Sequence, residues 1–220
     1  MGKSVYSLVL EDGVVAAVDK LAYERSTSRS NLINQILAEY LSCTTPEMRM
    51  KSIFDSVEEM LSELDSFQIQ FQPSDAMISL RSALRYRYNP TIRYVLELYP
   101  DLGPTVGELR VSARTQNRSL LEILTEFFEF WAELEERLVG RYFPPQMVFC
   151  RVTPGRYFRE FLLPAEESRR TEEGVANAIS DYIQFFDASL KKYFANLDQV
   201  EAVCAELEQS YRKRIPNGVI

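Results

Sequence analysis

The sequence predicts an α+β fold that is mainly α, and three observations predict it. Alternating residues near the start of the chain indicate a strand, and directly afterwards the apolar spacing changes to the three- and four-residue period of helices. Two aromatic-rich stretches further along carry turn residues between alternating segments, as β-hairpins do. Long apolar stripes at helical spacing fill most of the remaining chain. We therefore expect a small helical unit first, then hairpins, and a pair of helices at the end.

The first element is a strand of about seven residues, and its side chains alternate between two faces. One face is directed at a core and the other is directed outward. The inward set is Tyr6, Leu8 and Leu10, and the outward set is Val5, Ser7 and Val9.

Two helices follow the strand without a gap. The first is expected at residues 12–24, where acidic residues suit a helix start. Ser28 is a good N-cap for the second helix, which continues to about Tyr40. The apolar stripes of the two helices are Val14, Ala17, Val18 and Leu21, and then Leu32, Ile33, Ile36, Leu37 and Tyr40.

This order over residues 3–41, with its YxLxL strand and TSRSNLI turn, resembles the ribbon-helix-helix superfamily, the MetJ/Arc/CopG group of DNA-binding regulators. In that family two copies pair their strands into a ribbon that enters the major groove, and the second helix directs its N-terminus at a phosphate. One difference is Ser26, where the family commonly has glycine, so we expect a strained turn. The residues that the resemblance implies for DNA binding are Lys3, Val5, Ser7, Val9, Ser28, Arg29 and Ser30.

A partner strand is also required on physical grounds. Forty residues bury too little apolar surface to fold alone, and a lone strand leaves both backbone edges unpaired. The expected organisation places the ribbon-helix-helix unit at residues 1–44, a connecting helix at 45–72, a hairpin with a second ribbon-helix-helix-like unit at 73–140, and a hairpin with two helices at 141–220.

The second unit is predicted from an internal repeat. Sliding the chain by 88 residues aligns residues 6–41 without gaps on residues 94–129, with matches at the positions of a shared core, so the second unit is expected at residues 92–138. Its helices are expected at residues 102–113 and 117–138. The two units could pair within one chain as a pseudo-dimer, or each could pair across a homodimer, which we favour because identical strands complement each other around a twofold axis.

The hairpin around Asn89-Pro90 is locally basic, and two interpretations are open. Arginines interleaved with tyrosines can hold nucleic acid through phosphates and stacking. The same pattern also fits a sheet with arginine on its wet face and tyrosine on its dry face. The arginines concerned are Arg81, Arg85, Arg87 and Arg93.

Composition limits the classes of function. A net charge of -7 argues against broad polyanion binding, so any DNA contact must be local. The chain has no histidine, which removes the nickel- or zinc-sensing role open to some regulators, and it has no phosphate-binding or nucleophile motif, so no metal or cofactor is expected. No carboxylate pair stands out as tuned for catalysis, and we expect no enzyme. Without a signal peptide or a long apolar run, we expect a cytoplasmic protein.

The function expected from these features is a sequence-specific DNA-binding transcriptional regulator, such as a repressor. Its β-ribbon reads the major groove, and the C-terminal module serves oligomerisation or effector binding. The alternative is a protein-interaction or antitoxin-like module whose ribbon serves dimerisation and no longer binds DNA.

Overall fold

The computed structural model describes residues 5–70, 76–100, 103–145, 147–215 and 220. Within them the chain forms six α-helices and a six-stranded antiparallel sheet. The chain divides into two units, unit 1 at Met1–Arg49 and unit 2 at Met50–Ile220. The α+β class predicted from the sequence is confirmed.

Unit 1 contains the two helices that the apolar spacing predicts. Helix α1 spans Asp12–Glu24 and helix α2 spans Arg29–Tyr40. The Ser28 hydroxyl accepts a hydrogen bond from the Asn31 main-chain N–H at 3.2 Å, which confirms Ser28 as the N-cap. Residues 5–10 form no strand in the single chain. No described strand lies beside them to supply ladder hydrogen bonds.

Both helices of unit 1 end in the same C-terminal motif. After α1, Ser26 lies in the left-handed region at φ 51°, and the Thr27 main-chain N–H donates back to the Ala22 carbonyl at 2.9 Å. After α2, Ser42 has φ 53°. A residue with a Cβ is disfavoured in this conformation, which glycine adopts readily. The strain predicted at Ser26 is confirmed, and Ser42 repeats it.

A third helix leads into the sheet of unit 2. Helix α3 spans Pro46–Ser62 and ends short of the expected residue 72, because Phe67 is the first residue of a strand. The remaining regular elements are β1 at Phe67–Gln70, β2 at Met77–Ala83, β3 at Thr91–Leu98, β4 at Thr105–Ala113, α4 at Arg118–Leu134, β5 at Cys150–Thr153, β6 at Arg156–Leu162, α5 at Glu172–Ala195 and α6 at Val200–Arg214.

The sheet has the strand order β1-β2-β3-β4-β6-β5, and every neighbouring pair is antiparallel. Both hairpins predicted from turn residues are present. Residues 84–90, which include Asn89-Pro90, connect β2 to β3, and Pro154-Gly155 connects β5 to β6 with Gly155 at φ 67°. Because β6 pairs with β4, one sheet contains strands from both sides of the domain boundary that was expected at residue 140.

The prediction of a second ribbon-helix-helix-like unit is wrong. Residues 105–113, expected within a helix, form β4 between β3 and β6, and Leu102 lies outside the described residues. The β-branched Thr105, Val106 and Val111 favour a strand, and neighbours on both sides satisfy its backbone. The second expected helix of that unit is present as α4, which continues through a π-helical turn at Glu135–Val139.

The intramolecular pseudo-dimer depends on that second unit and is therefore excluded as well. It requires a free edge on the strand at residues 91–98, where the first unit could add its own strand. Both edges of β3 are occupied, one by β2 and the other by β4. Pairing of the predicted N-terminal strand therefore needs a partner other than β3.

Helices α4 and α5 pack on one face of the sheet. Phe186 of α5 lies edge-on to Tyr94 of β3, and Phe128 of α4 lies beside Tyr157 of β6. Helix α6 is antiparallel to α5, since Lys192 near the end of α5 pairs with Glu206 in the middle of α6, whereas Arg214 at the end of α6 pairs with Asp181 further back in α5. Within the described ranges, no helix combines the length and apolar character that crossing a membrane requires.

Candidate nucleic-acid interface

The residues expected to read bases are fully open to solvent. Val5 is 99% exposed, and Ser7 and Val9 are exposed as well. Lys3, expected just before them, lies outside the described residues. Among the described residues, none covers the face that these side chains form.

The set predicted to face a core is exposed too. Tyr6 and Leu8 have exposed fractions of 85% and 57%. Among the described residues of unit 1 the buried apolar side chains are only Ala22, Leu32 and Ala38, too few to form a core. The large apolar side chains that unit 1 leaves exposed are Val5, Tyr6, Leu8, Val9, Leu10, Val14, Val15, Tyr23, Ile36, Leu37, Tyr40 and Leu41. A surface of this size is typical of one that another chain covers.

The N-terminus of α2 presents the geometry of an anion site. Ser28, Arg29 and Ser30 are exposed together there. The Ser28 hydroxyl satisfies the N–H of Asn31, whereas the N–H groups of Arg29 and Ser30 have no carbonyl partner within the helix. Those N–H groups and the positive end of the helix dipole favour a phosphate at this position.

The Arg29 side chain is already engaged by α1. Its Nη2 donates to Oδ2 of Asp19 at 2.6 Å, and its Nε pairs with Oδ1 of the same carboxylate. This two-pronged ion pair links α1 to α2 across the turn. Arg29 can therefore contact a phosphate only by sharing its guanidinium with Asp19 or by leaving that carboxylate. Sequence spacing gave no signal for this pair, because the two residues lie on different helices.

Unit 2 contains a buried ion pair that sequence reasoning missed. Glu135 and Arg159 are both buried, with Nε of Arg159 donating to Oε2 of Glu135 at 3.1 Å. Oε1 of Glu135 accepts from Nε1 of Trp131 at 3.2 Å and from the Tyr211 hydroxyl at 2.8 Å. Arg159 also donates to the main-chain oxygen of Ile220 at 2.5 Å. A signal was available, because Arg159 alternates in phase with the buried aromatic residues of β6.

The groups around this ion pair keep their protons at neutral pH. Burial raises the pKa of Cys150 to about 12, with Glu135 adding to the effect. Burial likewise raises the pKa values of Tyr182 and Tyr211 well above the usual value. For Arg159, burial alone would lower the pKa, but the Glu135 carboxylate together with the surrounding tyrosines raises it. The cluster therefore holds one ion pair with neutral neighbours and offers no activated nucleophile.

A cavity of about 170 Å³ lies beside the ion pair. Helix α5 contributes Asn177 and Tyr182, and the end of α6 contributes Arg214. Arg214 donates to the Asp181 carbonyl at 2.6 Å and holds the two helices together. The cavity is smaller than the usual ligand pocket of about 300–1,000 Å³, so it offers room only for a very small effector.

Comparison with protein-family models, curated proteins and solved structures finds no match to this chain.

Proposed function

We propose that the protein is a sequence-specific DNA-binding transcriptional regulator of the ribbon-helix-helix type, and that it acts as a homodimer. Residues 5–10 of two copies pair into an antiparallel ribbon that enters the major groove. Unit 2 then serves oligomerisation or binds an effector in the cavity beside α5 and α6.

The uncovered apolar surface of unit 1 is the observation that supports the proposal. Leu8 and Leu10 lie exposed directly before α1, and Ile36 and Leu37 lie exposed on α2. A second copy brings an identical strand and identical apolar side chains, so it satisfies the unpaired backbone and covers the surface in one step. Burial of apolar side chains is the main source of free energy for such an association.

Readout of DNA then divides between two parts of unit 1. The Ser7 hydroxyl donates to or accepts from base edges, and Val5 and Val9 contact thymine methyl groups. Lys3 and the N-terminus of α2, with Ser28, Arg29 and Ser30, bind phosphates and set the register of the ribbon. These contacts are local, which agrees with a chain whose net charge is -7.

Two substitutions at adjacent positions test the proposal. Leu8→Asp places a carboxylate on the face that the second copy covers, so we expect monomeric protein by light scattering and loss of duplex binding. Ser7→Asp introduces the same charge on the opposite face, so we expect an intact dimer that no longer binds duplex DNA. A dimer that survives Leu8→Asp, or DNA binding that survives Ser7→Asp, would contradict the proposal.

The alternative is a protein-interaction or antitoxin-like module whose ribbon serves dimerisation only. Two observations favour it: the outward Val5 and Val9 also suit contact with protein, and Arg29 is paired with Asp19. In that case wild-type protein forms the dimer but does not bind duplex DNA at any salt concentration. Val5→Lys would then abolish a complex with a protein partner while the chain stays folded.

A further inference from the structure

The face of the sheet opposite α4 and α5 carries exposed charged side chains, and these are arranged in rows. Strand register places Arg81 of β2 opposite Arg93 of β3. Arg93 lies opposite Ser112 of β4, which in turn lies opposite Arg156 of β6. With strands about 4.8 Å apart, this basic row spans about 14 Å across the sheet.

The three guanidinium groups of the basic row have no counter-charge among the residues that the structure describes. Arg81, Arg93 and Arg156 are exposed, and none forms an ion pair with a carboxylate of the described residues. Arg93 donates from its Nε to the Ser79 hydroxyl at 3.0 Å, which fixes its direction. Like charges directly opposite each other destabilise a sheet, so a bound anion would relieve the repulsion between Arg81 and Arg93.

The connections at the same end of the sheet extend the basic row. The segments 84–90, 113–118 and 153–156 contain no aspartate or glutamate. They bring further exposed arginines to this end, which we call the arginine end together with the basic row. These further residues are Arg85, Arg87, Arg114 and Arg118. In a chain of net charge -7, this concentration creates a local positive field that attracts polyanions.

The opposite end of the same face is acidic. Glu97, Glu108 and Glu160 are register partners across β3, β4 and β6. Arg110, the cation nearest to them, pairs with Glu97 at 2.8 Å and also with Glu108. Because this end repels phosphate, a polyanion on this face of the sheet is confined to the arginine end.

Tyr88 adds an aromatic surface to the arginine end. It lies in the connection between β2 and β3 with 96% of its surface exposed and φ of 66°, a conformation unusual for a residue with a large side chain. Its neighbour two residues earlier, Tyr86, packs instead against Phe194 with ring centroids 5.4 Å apart. The backbone therefore presents one tyrosine to the core and holds the other in solvent, next to Arg87. Backbone strain of this kind clusters at binding sites.

We propose that the arginine end is a second nucleic-acid site, separate from the ribbon of unit 1, and that it binds a single strand. The basic row binds successive phosphates, and Tyr88 stacks on an unpaired base. A duplex offers phosphates to the arginines, but its stacked bases present no free face to Tyr88. The combination of arginines with an exposed ring therefore favours a single strand over a duplex.

The test measures fluorescence anisotropy of labelled oligo(dT) of about 12 nucleotides, a length within the usual site sizes, against the same strand annealed to oligo(dA). The full-length protein is used throughout. We expect tighter binding of the single strand. The variant Arg81→Ala/Arg93→Ala/Arg156→Ala is expected to lower the affinity and to reduce the slope of log affinity against log salt by about 2, since each lost phosphate contact on a single strand removes about 0.7.

A matched triple variant controls for the change in net charge. Lys192→Ala/Arg212→Ala/Lys213→Ala removes the same charge from α5 and α6, on the covered side of the sheet, and is expected to bind oligo(dT) as the wild type does. Tyr88→Ala is expected to weaken binding about fivefold to a hundredfold, and Tyr88→Phe to retain it, because stacking needs the ring and not the hydroxyl.

The outcomes separate this site from unit 1. Ser7→Asp should leave oligo(dT) binding unchanged, since the arginine end is intact in that variant. An equal loss of oligo(dT) affinity in the two triple variants would overturn the proposal. Duplex binding as tight as single-strand binding, combined with no effect of Tyr88→Ala on oligo(dT) affinity, would also overturn it. Absence of oligo(dT) binding at low salt would overturn it as well, whatever the result for duplex binding by unit 1.

Discussion

Asp19→Asn should strengthen duplex DNA binding, because it frees Arg29 from its ion pair. The pair is exposed, with 67% of the Arg29 side chain and 35% of the Asp19 side chain accessible. An exposed ion pair contributes about 0.2–1 kcal/mol. Two copies in a dimer therefore give about 0.4–2 kcal/mol, which is about a twofold to thirtyfold gain in affinity.

The assay is a titration of duplex DNA at low salt with wild type and two variants. Glu39→Gln is the matched control, since it removes the same charge from α2 with its side chain exposed and away from the N-terminus of the helix. It should bind as the wild type does, apart from a small effect of net charge. Arg29→Ala should weaken binding and reduce the salt slope by about 0.9 for each lost contact. Unchanged or weaker binding by Asp19→Asn would refute the role of Arg29 as a phosphate contact.

Three further predictions concern stability. Ser26→Gly should stabilise unit 1 by about 1 kcal/mol, because glycine adopts the left-handed conformation without a Cβ penalty, and a lower melting temperature would contradict this. Glu135→Gln should destabilise unit 2 by about 3–5 kcal/mol in denaturant unfolding, because it leaves the Arg159 charge buried and unpaired, whereas a change near zero would mean that the pair is dispensable. Burial raises the folded-state pKa values of Tyr157 and Tyr211, so the folded chain keeps protons that the unfolded chain releases. Stability should be complete below about pH 10 and fall at higher pH, and a free energy of unfolding that stays constant as the pH rises above about 10 would contradict this burial.

Local signals in unit 1 were sufficient to predict its helices. The bounds of α1 and the Ser28 cap follow from apolar spacing and capping chemistry, both of which act within a few residues. The ion pair between Arg29 and Asp19 was not predictable, because it depends on how the turn brings α1 and α2 together. The strain at Ser26 was predictable, since the position after the helix calls for a left-handed residue.

In unit 2 the predicted helix at residues 102–113 was wrong, because the apolar residues of this stretch fit both the helical and the strand period. Val106, Leu109 and Ala113 have helical spacing, but Leu109 and Val111 also alternate as in a strand, and a short run cannot distinguish the two. Neighbouring strands decided the outcome, since β3 and β6 pair with both edges of β4. The arginine end was predictable only in part. Its arginines on the first hairpin stand out as a basic stretch in the sequence, but only the sheet register brings Arg156 of β6 into the same row as Arg81 and Arg93.

The most direct test of the proposed function is selection of genomic DNA fragments by the purified full-length protein, followed by titration of the enriched fragment at two salt concentrations. We expect one palindromic site, bound by two chains, with an affinity that falls steeply as salt rises. A folded dimer that enriches no fragment would contradict DNA binding by the ribbon, and would assign unit 1 to dimerisation alone.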